Sequence, residues 1–235
     1  MEPRFPRVCF LTVGMTFINA PNANQPSQIM DNPNENTCSS QSNGADIKAE
    51  NVIELPDADR AKTAFQEAKQ RLLNVNRWQE LTGSFFANFQ LTDQQGQPLS
   101  GAVEKGNLFK IDIPGPGTND GDGFDWVYVE ELTQHSQPDT ENISVVVRPC
   151  SSPDTQNEAV SHFYGSESTS TFSLTRENNK VTAAIYDKNV KPNTDTESTL
   201  DQIRNSIVGT TAIMIFSKIQ WKRLTQGLLG LTNDD

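Results

Sequence analysis

Two histidines, His135 and His162, are the only imidazoles in 235 residues, so acid–base chemistry near neutral pH has few places to reside. His135 falls in the polar stretch 133–140, read as a solvated loop. His162 belongs to Val160-Ser161-His162-Phe163-Tyr164, which reads as a strand, and two-residue alternation then puts His162 and Tyr164 on one face. If that face lines a cavity, the pair can hydrogen-bond a ligand, and Tyr128 in the strand reading over 126–132 can join them. An internally satisfied imidazole is the plainer alternative. Ser166, Ser168 and Ser170 follow closely, but no Gly-x-Ser-x-Gly elbow encloses any of them, so a hydrolase nucleophile has no support. Glu130 and Glu131 point to opposite faces of a strand and cannot work as a catalytic couple.

Metal and cofactor chemistry fare no better. Thr118-Asn119-Asp120-Gly121-Asp122-Gly123-Phe124-Asp125 places Asp120, Asp122 and Asp125 among glycines, the weak outline of a cation loop. With Gly123 at the glycine position of a calcium-binding loop, Thr118 stands at the first ligand position and Val129 where a bidentate glutamate is needed. An exposed glycine-rich turn is the better reading, and no metal is expected. Ile113-Pro114-Gly115-Pro116-Gly117 lacks the third glycine and the following helix of a pyrophosphate cradle, so it reads as a rigid strand exit. The three cysteines, Cys9, Cys38 and Cys150, show neither CxxC spacing nor a nearby histidine pair, which excludes a structural zinc site. A Cys38–Cys150 disulfide stays open beside the favoured reading of free thiols. No cofactor is expected.

Composition sets the class. The chain is 34% hydrophobic with a formal net charge of -11, and polyanion affinity needs clustered lysine and arginine. The densest basic group, Lys218, Lys222 and Arg223, has helix-surface spacing, so nucleic-acid binding is excluded. Residues 1–45 are read as a disordered arm, rich in Asn, Gln, Ser and Pro after residue 18. Within it, Arg4 and Arg7 before an apolar run over 8–18, with Ala20 and Ala23 after it, outline a signal-like segment over 1–23. Glu2, Thr12, Gly14 and Thr16 dilute that outline, and Met15 is an alternative start. The balance favours a cytoplasmic protein, with export as the alternative. The apolar run 207–219 is too short to span a membrane and reads as a buried core helix.

Residues 46–230 are read as one α+β domain. A first strand over 46–55 precedes Asp57, a helix cap, and a stripe of Ala61, Ala64, Phe65, Ala68, Leu72 and Val75 at helical spacing. A short second helix around Trp78 stops at Gly83. The period then falls to two, with Phe85, Ala87, Phe89 and Leu91 on one side of a strand. Further strands are expected over 108–113, 126–132, 143–148, 160–164, 171–176 and 181–186, with a hairpin turn at Glu177-Asn178-Asn179-Lys180. Such short links predict antiparallel pairing. A long helix over 199–229 closes the chain, started by Ser198 and Asp201 and ended by Gly230, with Leu200, Ile203, Ile207, Ile213, Phe216, Leu224 and Leu228 on its buried side. Its apolar face widens over 207–219, so the sheet is expected on one side and the first helix on the other. Aromatics, Phe109 and Phe172 among them, are spread over the strands and suit either core packing or a pocket lining.

This order of elements resembles the helix-grip fold of the START and polyketide cyclase-like superfamily, and Leu72-Leu73-Asn74-Val75-Asn76-Arg77-Trp78-Gln79-Glu80-Leu81 looks like that family's passage through paired short helices. The resemblance implies a curved antiparallel β-sheet wrapped around a long C-terminal helix, a packing role for Trp78, and a cavity between sheet and helix for an apolar small molecule. On that footing the expected function is non-catalytic binding of a hydrophobic small molecule, with Tyr128, His162, Tyr164, Phe109, Phe172 and Phe216 as contacts. One alternative is a protein-interaction or structural module with a filled core and an unidentified protein partner. Another is a cyclase- or hydratase-type enzyme, for which His162 is the one available acid–base group.

Overall fold

The computed structural model describes residues 44–114, 123–153, 160–191, 193 and 207–231, giving the helical backbone alone for 207–213. Seven strands form one antiparallel sheet: β1 (Ala45–Glu54), β2 (Asn88–Thr92), β3 (Leu108–Asp112), β4 (Asp125–Ser136), β5 (Thr140–Pro149), β6 (Thr169–Glu177) and β7 (Lys180–Val190). Their order across the sheet is β1-β7-β6-β5-β4-β3-β2. Every sequential step except the first is to a neighbouring strand. Between β1 and β2 the chain crosses from one edge to the other through α1 (Ala58–Leu73), a 3-10 turn (Val75–Arg77) and α2 (Trp78–Thr82). The last element is α3 (Ile207–Leu228).

Local chemistry explains the helices. The Asp57 carboxylate accepts from the Arg60 N–H at 2.8 Å, capping α1. Ala61, Phe65, Ala68 and Leu72 then fall on one buried stripe. Gly83 ends α2 at φ 105, a left-handed value that glycine adopts without steric cost. Asn178 supplies the positive φ (54) of the β6–β7 turn.

Four sequence expectations need correction. The segment 160–164 is no strand: the His162 ring accepts its own chain's Tyr164 N–H at 2.9 Å, and the Asn193 amide donates to Val160 O and His162 O. Local side-chain bonds replace a ladder there. The strand after Gly83 begins at Asn88, leaving Phe85 86% exposed in the turn that follows α2. The stretch read as a polar loop over 133–140 instead continues β4 to Ser136, with His135 exposed and opposite Asn142, because ladder pairing outlasts the core beneath it. On α3, Ile215 and Ile219 stay 55% and 48% exposed, since that helix packs chiefly on β1 and α2 and leaves its outer face bare. Residues 1–43 of the arm, the loop residues Asp120 and Asp122, Gly115 to Gly117, Cys9, Cys38, and the helix start with Ser198 and Asp201 lie outside the described residues, while Ala45, read as the end of the arm, already belongs to β1.

Candidate functional site

Alternation along the strands builds the inner wall. On β6 the inward set is Ser170, Phe172, Leu174 and Arg176, and on β7 it is Val181, Ala183, Ile185 and Asp187. Phe89, Phe109, Val127 and Val147 extend the same surface across β2 to β5. α1 lies against β6 and β7 near their turn, while α3 lies along β1 and β7. Trp78 fills the middle, edge-on to Phe89 and Phe109 (ring centroids 5.2 and 5.9 Å) and tilted against Phe172 (4.7 Å). Its indole N–H donates to the Arg71 and Leu72 carbonyls, so the ring is held as well as buried.

Beyond Trp78 the interior is not filled. A partly enclosed cavity of about 40 Å³ lies between the inner sheet face, the segment 162–164 and α3. Phe89, Phe109, Phe172, Phe216 and Trp221 are among its apolar lining, and His162, Tyr164, Ser170, Ser217 and Gln220 supply polar atoms. A seven-strand antiparallel sheet closed over by a C-terminal helix, with the helical crossover inserted after the first strand, decides the architecture. This is a helix-grip fold.

Most polar groups of the helix-grip cavity are engaged within the fold. The Tyr164 hydroxyl and Ser217 hydroxyl share a hydrogen bond of 3.2 Å. Gln220 Oε1 accepts the Ala87 N–H at 3.1 Å, tying α3 to the start of β2. Burial holds His162 down to about 3, so the ring is neutral, and with Nδ1 accepting from Tyr164 its proton sits on Nε2. Burial, together with the charge of Asp187, pushes the Tyr164 phenol above its ordinary value against the Ser217 hydrogen bond. Asp187 itself is 1% exposed. Its Oδ2 accepts the Trp221 indole N–H at 2.7 Å, while Oδ1 has no hydrogen-bond partner. Burial raises its carboxyl to about 6, opposed by the Ser170 hydroxyl and the Trp221 indole.

Of the residues expected to contact a ligand, Phe109, His162, Tyr164, Phe172 and Phe216 line the cavity, and Tyr128 does not. Val127 and Val129 occupy the inner face of β4, so Tyr128 between them is turned outward, half-buried and across the ladder from Arg148. Sequence reasoning missed Ser170 as a lining residue, Ser217, Gln220, Trp221 and, above all, Asp187. A signal for Asp187 existed: Val181, Ala183 and Ile185 set a phase that continues onto it, one residue past the expected end of the strand. Asp125 is buried at the start of β4, and among the described residues no three His, Cys, Asp or Glu side chains converge on a point that could hold a metal. Cys150 is a free thiol, half-buried and pushed up to about 12 by that burial, so it is protonated at neutral pH. No described helix is long and apolar enough to cross a membrane.

No family model and no curated protein matches the chain. Solved structures with a similar arrangement include hypothetical protein jhp0584 from Helicobacter pylori, at 9% identity and TM-score 0.43, covering 86% of this chain and 98% of its own. Norcoclaurine synthase from Thalictrum flavum, solved in complex with dopamine and hydroxybenzaldehyde, is similar at 8% identity and TM-score 0.31 (84% and 95% covered). Ara h 8.0201 is similar at 10% identity and TM-score 0.27 (77% and 99% covered). The fold assignment rests on the strand order and helix placement described above.

Proposed function

We propose that this domain, a member of the START and polyketide cyclase-like superfamily, binds a small apolar molecule in the cavity between sheet and C-terminal helix without transforming it. The observation that carries this reading is the cavity itself, an aromatic hollow with polar atoms on α3, on the segment 162–164 and at Ser170 of β6. Removing apolar surface from water supplies about 25 cal/mol per Å², and a few polar groups then fix orientation. As it stands the space takes about three water-sized groups. A larger occupant has to displace Phe216 or Phe163, both half-buried. His162 supports the non-catalytic reading, because a ring that is neutral down to about 3 and already bonded through Nδ1 is a poor general base near neutral pH.

Native mass spectrometry of the full chain tests the proposal: a small organic adduct that disappears on replacing Phe109 or Phe172 with Trp is expected. A chain that stays free of adducts and shows no saturable shift with small aromatic probes counts against it. A second reading, a protein-interaction module, draws on the exposed Ile215, Ile219 and Phe85. Under that reading Ile215→Lys and Ile219→Lys abolish partner capture while leaving probe binding intact.

A further inference from the structure

Asp187 is a carboxylate at the end of an otherwise apolar inward row, Val181, Ala183 and Ile185. A buried carboxylate is ordinarily hydrogen-bonded through both oxygens. Here the Trp221 indole satisfies Oδ2 at 2.7 Å and Oδ1 is left over. Ser170, directly across the ladder, helps to hold the charge, yet Oδ1 keeps no hydrogen bond of ordinary geometry. Both neighbours, Ser170 and Trp221, line the cavity, so Asp187 stands immediately behind its wall. Its charge is felt across that wall, since it disfavours ionisation of the Tyr164 phenol, which also lines the space.

The rest of the wall carries neutral donors, among them His162 and Gln220, but no cation to balance a second negative charge. Among the described residues no lysine or arginine lines the cavity, and the imidazole there is neutral. A Ser170 hydroxyl that turns its proton toward Asp187 presents its oxygen, as an acceptor, to whatever occupies the space. Beside Asp187 the surface is therefore complementary to donors, and in a low-dielectric setting the buried carboxylate repels anions.

We infer, on the ligand-binding reading above, that the cavity selects molecules carrying an O–H or N–H donor on a small apolar body and refuses carboxylates, with Asp187 setting that preference as a positioning residue behind Ser170 and Trp221. The donor can be a neutral hydroxyl or an ammonium, and the two are distinguished by experiment. Four probes sharing one ring, toluene, benzyl alcohol, benzylamine and benzoate, are titrated into the ¹⁵N-labelled full chain. The Trp221 indole signal, assigned by its loss in Trp221→Phe, serves as the reporter. The alcohol, the amine or both are expected to bind at least about tenfold more tightly than toluene, with no saturable shift from benzoate. Tighter binding of the alcohol identifies a hydroxyl ligand, and tighter binding of the amine an ammonium. In Asp187→Asn, which keeps an acceptor for Trp221 but exchanges the leftover oxygen for an amide donor, benzoate gains affinity and the donor preference shrinks to within about twofold. The ranking on the unaltered chain stands as a test even if that variant fails to fold. Toluene equal to the donor-bearing probes, or benzoate as tight as the alcohol, overturns the inference while leaving the cavity reading in place. If none of the four binds, the ligand-binding proposal falls and the inference falls with it.

Discussion

Two buried charges sit on the inward face of the β6–β7 hairpin, at opposite ends, and the chain treats them differently. Near the turn, Arg176 is 1% exposed and all three of its guanidinium nitrogens are used: Nε donates to Glu141 Oε2 at 2.6 Å, Nη1 to Asp139 O and Asn178 O, and Nη2 to Pro138 O. Six residues along β6, at Ser170, the ladder pairs with Asp187, whose second oxygen is unpartnered. The first arrangement staples the β4–β5 turn to the β6–β7 turn and is complete in itself. The second is incomplete, and it lies beside the cavity under α3. A fully satisfied buried charge serves the fold; one left half-satisfied beside empty space costs stability and points to recognition.

The sharpest way to break this comparison is at its closed end. Arg176→Met strands Glu141 at a site 12% exposed and frees three carbonyls, so unfolding in urea should show a loss of about 3–5 kcal/mol. A loss below about 1 kcal/mol would mean that the staple is dispensable.

At the open end the sign reverses. Asp187→Asn keeps an acceptor for Trp221 and removes the buried charge, so at pH 7 it should stabilise the chain by about 1–3 kcal/mol, in keeping with a carboxyl raised from 3.8 to about 6. The gain should fade as pH falls from about 6 to about 4, because folded Asp187 takes up its proton there and is no longer charged. His162 acts in the opposite sense. Its folded value is depressed from 6.5 to about 3, so the unfolded chain binds that proton first and stability is lost as pH falls through this window. Between pH 6 and pH 4 the two contributions cancel in the unaltered chain. Asp187→Asn uncovers the His162 slope, about 1.4 kcal/mol per pH unit relative to the parent, and denaturation midpoints at pH 4.5, 5.5 and 7 should trace it.

Smaller changes sharpen the map of the cavity. Tyr164→Phe deletes the bond to Ser217 and should cost about 1 kcal/mol in thermal unfolding. Tyr128→Phe, on the outer face of β4, should alter stability by no more than about 0.5 kcal/mol and leave probe binding unchanged. A clear effect on binding there would place the ligand on the wrong side of the sheet.

Much of the framework was legible because it depends on local spacing. The Asp57 cap, the α1 stripe, the stop at Gly83 and the turn at Asn178 are each decided within a few residues, and each appears where residue type puts it. The misreadings occur where a distant partner intervenes. Asn193 captures the carbonyls of 160 and 162, so a β-rich string becomes a bend. Tyr128 follows a residue apolar enough to face either way, and only the ladder chooses Val127 and Val129 for the inside. Five of the six expected contact residues line the cavity, yet the polar residue that shapes it was passed over, because its burial depends on the Trp221 indole 34 residues away.

By itself the sequence determined the kind and order of most elements and the antiparallel habit of the strands, since each follows from backbone preference and periodicity over short distances. Tertiary structure alone decided which face of each strand turns inward and where the packing stops short. It also decided that one carboxylate ends in the core with an oxygen to spare. Burial and desolvation are properties of the assembled neighbourhood, and no run of adjacent residues encodes them.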